Sequence, residues 1–241
     1  MAKATTSNTF GPLVPDAWND KLFTLHRFSK LSAFKSKRKP SLEANERRWV
    51  DAWEDHLAEL AKVVRKFGVR AALHTKDVFE VYVQVKDDDG PSNEQATTYR
   101  NFVELEDVIS DRVIDALIRY YHIAREEVPD AFEEDDPPVT NLSDLVKVVE
   151  FDCMTVRNGV VDGLCPIVLS WRPDWDEEHG LRVLVYDGQV VLIGTDEVSD
   201  AVDGYLDEDF LSRWAPNLTP DEQGALERFR SNVNEADEDE W

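Results

Sequence analysis

The chain of 241 residues carries 50 aspartates and glutamates against 27 lysines and arginines, which gives a formal net charge of −23 at pH 7. A chain this acidic repels nucleic acid and anionic membranes, and it attracts partner proteins with a basic surface. Hydrophobic residues make up 42% of the chain and favour a folded core, but no apolar run approaches the roughly 20 residues of a membrane-spanning helix.

The N-terminus lacks the charged and then apolar pattern of a secretory signal peptide. We therefore expect a cytoplasmic protein that binds neither nucleic acid nor membranes. Cys153 and Cys165 are expected to be a reduced pair of small buried side chains on adjoining strands, as suits a cytoplasmic protein, and no zinc-type Cys or His spacing is present.

The first half of the chain predicts helices with at least one strand. Residues 1–9 are expected to be disordered, and 10–34 mixes aromatic residues with Gly and Pro, which is typical of an irregular or short-stranded segment. A basic loop at 35–40 precedes a helix over 42–67, which is capped by Ser41. The apolar stripe of that helix comprises Trp49, Trp53, Leu57, Leu60 and Val64.

Alternating apolar residues predict a strand over 77–86. Ser92 and Gln95 have the spacing of a capping box, which predicts a helix over 93–125, with a break near Val103 as an alternative. The second half of this helix is expected to face inward through Val108, Val113, Leu117, Tyr120 and Tyr121.

The second half of the chain predicts a four-stranded antiparallel meander over 147–157, 160–171, 181–186 and 189–194. Short helices are expected over 142–146 and 196–205, and a third begins at Thr219. The fold class is therefore α+β, with an α-rich N-terminal half and helices packed on the C-terminal sheet. The acidic, proline-containing run near 133–138 predicts a division into regions 1–135 and 136–234, followed by an acidic tail at 235–241.

Two Asx-Gly dipeptides, Asn158-Gly159 and Asp187-Gly188, predict two-residue hairpin turns. If Tyr186 pairs with Gln189, the second hairpin is apolar on both faces, and we expect it to lie centrally in the sheet and to be covered on both sides. One predicted face comprises Leu181, Val183, Val185, Val190 and Leu192, and the other comprises Arg182, Leu184, Tyr186, Gln189, Val191 and Ile193.

The densest polar cluster precedes this hairpin at Trp175, Asp176, Glu178, His179 and Gly180. A structural interpretation has Trp175 anchoring the connection, the acids accepting backbone N–H bonds, and Gly180 allowing a tight approach to the strand. A metal-binding interpretation uses Asp176, Glu178 and His179 as ligands, although their spacing matches no established motif. We favour the structural interpretation and predict no catalytic residue, no cofactor and no bound metal.

The run from Trp175 to Gly180, together with the hairpin that follows, resembles an uncharacterised bacterial domain family with a W-D-x-E-H-G-L-G-V motif. The resemblance extends upstream through 137–149 and 91–121 and covers about residues 75–205. Arg182 departs from the motif, which has glycine at that position. Members of the family tend to lie near polymorphic-toxin genes, so the resemblance implies an immunity or accessory role without catalytic residues.

The leading hypothesis is a non-enzymatic, acidic protein-binding protein of the immunity type, whose partner has a basic, toxin-like surface. The acids expected to steer that partner are Asp196, Glu197, Asp200, Asp203, Asp207, Glu208 and Asp209. Two alternatives stay open: a metal-dependent enzyme or metal-binding protein that uses Asp176, Glu178 and His179, and an acidic DNA mimic. The role of the basic segment at 21–48 is not predicted.

Overall fold

The computed structural model describes residues 5–15, 21–34, 79–85, 90–132, 138–176, 178–202 and 205–236. The predicted helix over 42–67, the basic loop at 35–40 and the end of the acidic tail lie outside these ranges. Eight strands form one sheet in the order of the chain. They are β1 (Thr5–Ser7), β2 (Gly11–Pro15), β3 (Lys21–His26), β4 (Phe79–Gln84), β5 (Val149–Val156), β6 (Ile167–Pro173), β7 (Leu181–Tyr186) and β8 (Gln189–Gly194).

Six helices lie within the described ranges and complete an α+β fold. They are α1 (Asn93–Glu104), α2 (Glu106–Glu127), α3 (Leu142–Leu145), α4 (Asp196–Val202), α5 (Glu208–Trp214) and α6 (Pro220–Ala236). The fold class and the C-terminal meander of β5 to β8 are confirmed. None of the helices in the described part of the chain is long and apolar enough to cross a membrane.

The strands before and after the two long helices belong to the same sheet. β4 pairs with β5 in parallel, with Glu80 opposite Cys153 and Val83 opposite Val156, whereas every other neighbouring pair is antiparallel. A parallel pair requires a crossover connection, which here includes α1, α2 and α3. The sheet therefore continues across the position predicted as a boundary, and the division into three regions stays a prediction.

The N-terminal segment is more regular than its composition suggests. Residues 5–9, which were expected to be disordered, form β1 and the turn after it. This expectation was wrong for the described residues because β1 pairs with β2 through Thr5 and Leu13. The short strands expected between 10 and 34 are present as β2 and β3.

The long helical segment is broken at Leu105, close to the predicted alternative. The capping box of Ser92 and Gln95 is present at the start of α1, and α2 buries Val113 and Leu117 against the sheet. Val108 was expected to face inward but is 48% exposed. The break at Leu105 starts a new helix. The buried face of that helix, α2, begins at Ile109, and Val108 therefore lies on the solvent side.

The hairpin of β7 and β8 closes at the predicted turn. Asp187 and Gly188 have φ angles of 51° and 69°, and Tyr186 pairs with Gln189. Two consecutive residues with positive φ are what a type I′ turn requires. The turn at Asp187-Gly188 is therefore confirmed.

The faces of this hairpin and its place in the sheet differ from the prediction. Leu184 pairs with Leu192 and Val185 pairs with Val190, so Val191 is the extra residue of a β-bulge. Leu192 and Ile193 therefore exchange faces relative to the prediction. The hairpin is buried on both faces, as expected, but β8 is the last strand in the sheet order instead of a central one. The helices α2, α4 and α6 pack on it and supply the burial.

The connection between β5 and β6 does not close at Asn158-Gly159, so this predicted turn was wrong. Val156 pairs with Ile167, and a loop over 157–166 joins the two strands. Within the loop, Asp162 and Gly163 have φ angles of 47° and 75° and form the tight turn.

Burial explains why the earlier dipeptide is not used. A turn at residues 158 and 159 would set Gly163 opposite the buried Met154, whereas the observed register sets Leu169 there. A strand register follows the pairing that buries the most apolar surface. Predicted strand residues 160–166 therefore lie in the loop, and so does Cys165, which was expected on a strand.

Candidate functional site

The cluster before β7 is held in place by aromatic packing. The ring of Trp175 stacks on Phe132 with centroids 5.5 Å apart, and it meets the edge of Tyr121 at 5.4 Å. Tyr121 belongs to α2 and is buried. The indole therefore ties the segment between β6 and β7 to the long helix.

Asp176 organises the turn that follows. Its Oδ1 accepts hydrogen bonds from the backbone N–H of His179 at 3.1 Å and from the ring Nδ1 of His179 at 2.9 Å. Gly180 has a φ of +70°, and a Cβ at that position would lie 3.2 Å from the backbone oxygen of Trp171. Only glycine suits both the left-handed backbone and the close approach. These contacts give the turn its shape.

The three residues considered as metal ligands differ in their surroundings. Asp176 and His179 bind each other, whereas Glu178 is exposed to solvent. Across the described ranges, no group of three or more His, Cys, Asp and Glu side chains is arranged to hold a metal ion.

Several acids predicted to bind a partner have local structural roles. Glu197 Oε2 accepts hydrogen bonds from the backbone N–H and the hydroxyl of Thr195 at 3.0 and 2.9 Å. Asp207 caps α5 by accepting from the N–H groups of residues 209 and 210. Glu208 forms an ion pair with Arg230. Asp203 and the side chain of Asp196 lie outside the part of the chain that the structure describes.

Asp200 and Asp209 are exposed and lie five residues before and four residues after Tyr205 in the chain, and the backbone oxygen of Asp200 accepts the N–H of Tyr205 at 2.8 Å. Tyr205 is 71% exposed and is the most exposed large hydrophobic side chain among the described residues. We call residues 200, 205 and 207–209 the acidic–tyrosine patch. It combines carboxylates with an aromatic ring that is available to a partner.

A second surface feature had no signal in the sequence. A half-open cavity of about 200 Å³, here called the junction cleft, lies between the α1–α2 junction, the loop before β6 and the turn of β7 and β8. Its lining comprises Thr98, Asn101, Phe102, Glu104, Leu105, Ile109, Leu164, Cys165, Ile167, Val185, Asp187 and Gly188. The apolar members come from three separate parts of the chain, so no local spacing could have revealed them.

Sequence reasoning also missed a partly buried hydrogen-bond chain. His26 Nε2 lies 3.1 Å from Glu106 Oε2, and His26 Nδ1 lies 3.1 Å from the hydroxyl of Tyr99. Burial and the nearby Glu106 carboxylate raise the pKa of Tyr99 well above its ordinary value. The phenol therefore stays protonated and can donate to Nδ1, while Nε2–H donates to the carboxylate. The chain joins β3, α1 and α2.

Both thiols are free and protonated at neutral pH. Burial, followed by the Asp152 carboxylate, raises the pKa of Cys153 to about 12. Burial, followed by the Glu94 carboxylate, raises the pKa of Cys165 to about 11. A nucleophilic cysteine needs a lowered pKa, so neither thiol has the surroundings of a catalytic nucleophile.

Comparison with known proteins places the chain in a family. The model of a domain of unknown function (DUF6985) matches residues 54–200. The chain belongs to the DUF6985 family. The match contains β4 to β8 and includes the Trp175 turn, the junction cleft and the first part of the acidic–tyrosine patch. No curated protein and no solved structure matches the chain.

The match agrees with the expected resemblance to an uncharacterised domain family, and it begins earlier than the expected residue 75. DUF6985 is described as a domain of unknown function, so membership of the family supplies no activity for this chain. The motif and the toxin-gene context stay predictions.

Proposed function

We propose that this DUF6985 protein is a non-enzymatic, acidic protein-binding protein of the bacterial immunity type, which neutralises a toxin-like partner with a basic surface. The observation that carries the proposal is the acidic–tyrosine patch, where Tyr205 is 71% exposed and Asp200 and Asp209, close to it in the chain, are exposed as well. Tyrosine is among the residues that dominate binding energy at protein interfaces.

The charge of the whole chain supports the same conclusion. A formal charge of −23 creates a field that speeds the encounter with a cationic partner, and the exposed carboxylates of the patch then set the local orientation. Glu208 already pairs with Arg230, and Asp207 caps α5. Asp200 and Asp209 are therefore the acids of the patch best placed to meet lysines or arginines of a partner.

The experiment is co-expression with neighbouring genes, followed by purification and a binding titration of the recovered basic protein at 50 to 500 mM salt. We expect affinity to fall steeply with salt and the association rate to fall by about 3- to 10-fold for the double variant D200N/D209N. Tyr205→Ala should instead raise the dissociation rate, because the anchor is lost after encounter.

The matched control is the double variant E94Q/D115N. It removes the same number of charges, and Glu94 lies in the first turn of α1 as Asp209 does in α5. We expect the control to bind like the original protein at physiological salt. Recovery of no basic partner, or an affinity that salt leaves unchanged, contradicts the proposed function.

A further inference from the structure

We propose that the junction cleft is an anchor pocket, which takes one aliphatic or aromatic side chain from a protein segment flanked by lysine or arginine. This inference rests on the proposed function and names the surface on which the basic partner is held. The lining of the cleft shares no residue with the acidic–tyrosine patch.

The interior of the cleft is apolar and its surroundings expose more apolar surface. Phe102, Ile109 and Val185 line it as buried residues. Leu105, also in the lining, is 49% exposed, and Val108 on the next turn is exposed as well. Leu105 and Val108 are three residues apart at the start of α2 and lie on the same side of the helix, so together they offer apolar surface beside the cleft for an entering side chain.

Both charged residues in the lining of the cleft, Glu104 and Asp187, are acids. Glu104 is exposed at the edge of the cleft. Asp187 lies on the opposite side and pairs with Arg228 at 2.9 Å on the surface, an exposed contact that contributes little. The nearby Arg112 donates to the backbone oxygen of Gly188 at 2.7 Å and is thereby held against the turn. Arg112 and Arg228 offset these two acids locally, so the preference for a lysine or arginine flank comes from the formal charge of −23 of the whole chain.

The volume of the cleft fits a single side chain. Pockets for drug-sized ligands and cofactors have volumes of about 300–1,000 Å³, whereas this cleft has about 200 Å³. Its walls are fixed before binding. The Thr98 hydroxyl accepts the backbone N–H of Cys165 at 2.8 Å, and the Arg112 contact fixes the turn at Gly188. A pocket that is already formed loses little entropy when it is filled.

The test uses methyl NMR of the full chain with three synthetic peptides: Lys-Arg-Leu-Arg-Lys, Lys-Arg-Ser-Arg-Lys and Glu-Asp-Leu-Asp-Glu. We expect the first peptide to cause saturable shifts at the methyl groups of Leu105, Ile109, Leu164 and Val185. Burial of one leucine side chain is worth about 1.5–3 kcal/mol, so the serine peptide should bind at least about 10-fold more weakly. The acidic peptide should cause no shifts at these methyls.

Variants separate the cleft from the rest of the surface. Leu105→Ser should weaken the leucine peptide by about 5-fold or more, because part of the apolar contact is removed. Glu104→Gln should weaken it less and should reduce its dependence on salt. The control Val160→Ser changes an equally exposed valine outside the lining and should bind the peptide unchanged. Circular dichroism of each variant verifies that the fold is retained.

Three results overturn the inference. They are equal affinity for the leucine and serine peptides, binding of the acidic peptide in the cleft, and no shifts at these methyls at millimolar peptide. If a basic protein partner binds with steep salt dependence and its affinity is unchanged by Leu105→Ser, the proposed role of the cleft is wrong and the proposed function still holds. Conversely, peptide binding in the cleft without any salt-dependent protein partner supports the cleft and contradicts the proposed function.

Discussion

Two connections of the sheet begin with the same local signal but fold differently. The hairpin of β7 and β8 turns at Asp187-Gly188, directly after the strand ends. The connection of β5 and β6 contains Asn158-Gly159 at the corresponding place, yet the chain continues for several residues and turns at Asp162-Gly163. Both turns that form are Asp-Gly pairs with positive φ at both residues.

The difference teaches that the residues after a turn decide whether the turn is used. Placing a non-glycine residue in the left-handed region costs about 1–2 kcal/mol, whereas burial of one aliphatic side chain contributes about 1.5–3 kcal/mol. Two residues after Gly188, Val190 already pairs with Val185 on β7. After Gly159 the first strand that matches β5 begins only at Ile167.

The largest expected effect on stability comes from a variant that disrupts the packing of the β7–β8 hairpin. Leu184 on β7 is fully buried, so Leu184→Ala removes buried methyl groups and leaves a cavity. We expect the free energy of unfolding to fall by about 2–5 kcal/mol, measured by urea denaturation. Val160→Ala in the second connection should change it by less than about 0.5 kcal/mol, because Val160 is half exposed. Similar losses in both variants would contradict the difference in burial.

The next effect concerns the glycines of the two connections. Gly188 and Gly163 have φ angles of +69° and +75°, whereas Gly159 lies outside the left-handed region and a Cβ there would meet nothing within 4 Å. We expect Gly188→Ala and Gly163→Ala each to lower the free energy of unfolding by about 1–2 kcal/mol. Gly159→Ala should be neutral or slightly stabilising. If Gly159→Ala destabilised as much as Gly188→Ala, the turn would have to lie at residues 158 and 159.

The smallest effect on stability at neutral pH comes from the two thiols near the connection of β5 and β6, Cys153 on β5 and Cys165 in the loop over 157–166. The folded protein raises the pKa of Cys165 to about 11 and that of Cys153 to about 12. Both groups therefore favour the folded state below the ordinary thiol pKa, and this contribution is lost as pH rises from about 9 towards 11 and 12. Native protein should react slowly with a thiol reagent at pH 8, and unfolded protein should react quickly at both sites. Rapid reaction of Cys165 in the native state would show that the loop over 157–166 opens.

Much of the framework was predictable because its signals are local. The capping box at Ser92, the turn at Asp187-Gly188 and the meander from β5 to β8 each follow from spacing within a few residues. The helix start predicted at Thr219 is confirmed too. The helix α6 begins at Pro220, and the Glu222 carboxylate accepts the backbone N–H of Thr219 at 2.7 Å. Capping and turn chemistry act between near neighbours, so a sequence displays them directly.

The remainder depends on residues that meet only in the folded chain. The bulge at Val191 depends on how β8 packs under the helices, so the faces of the hairpin could not be assigned from alternation alone. The junction cleft joins Phe102, Leu164 and Val185, and the hydrogen-bond chain joins His26 to Tyr99 and Glu106. Among the sequence-predicted partner acids, the structural roles of Glu197 and Asp207 likewise became visible only with the fold.

The bulge at Val191 has a consequence for the behaviour of the protein at high concentration. In the sheet of the described strands β8 is the last, and a terminal strand normally offers its backbone groups to strands of other molecules. Here the indole Nε1 of the buried Trp214 donates a hydrogen bond to the backbone oxygen of Val191 at 3.2 Å. The Trp214 side chain thereby occupies one of the backbone acceptors that a foreign strand would need, which makes this border of the sheet a poorer template for intermolecular β-pairing.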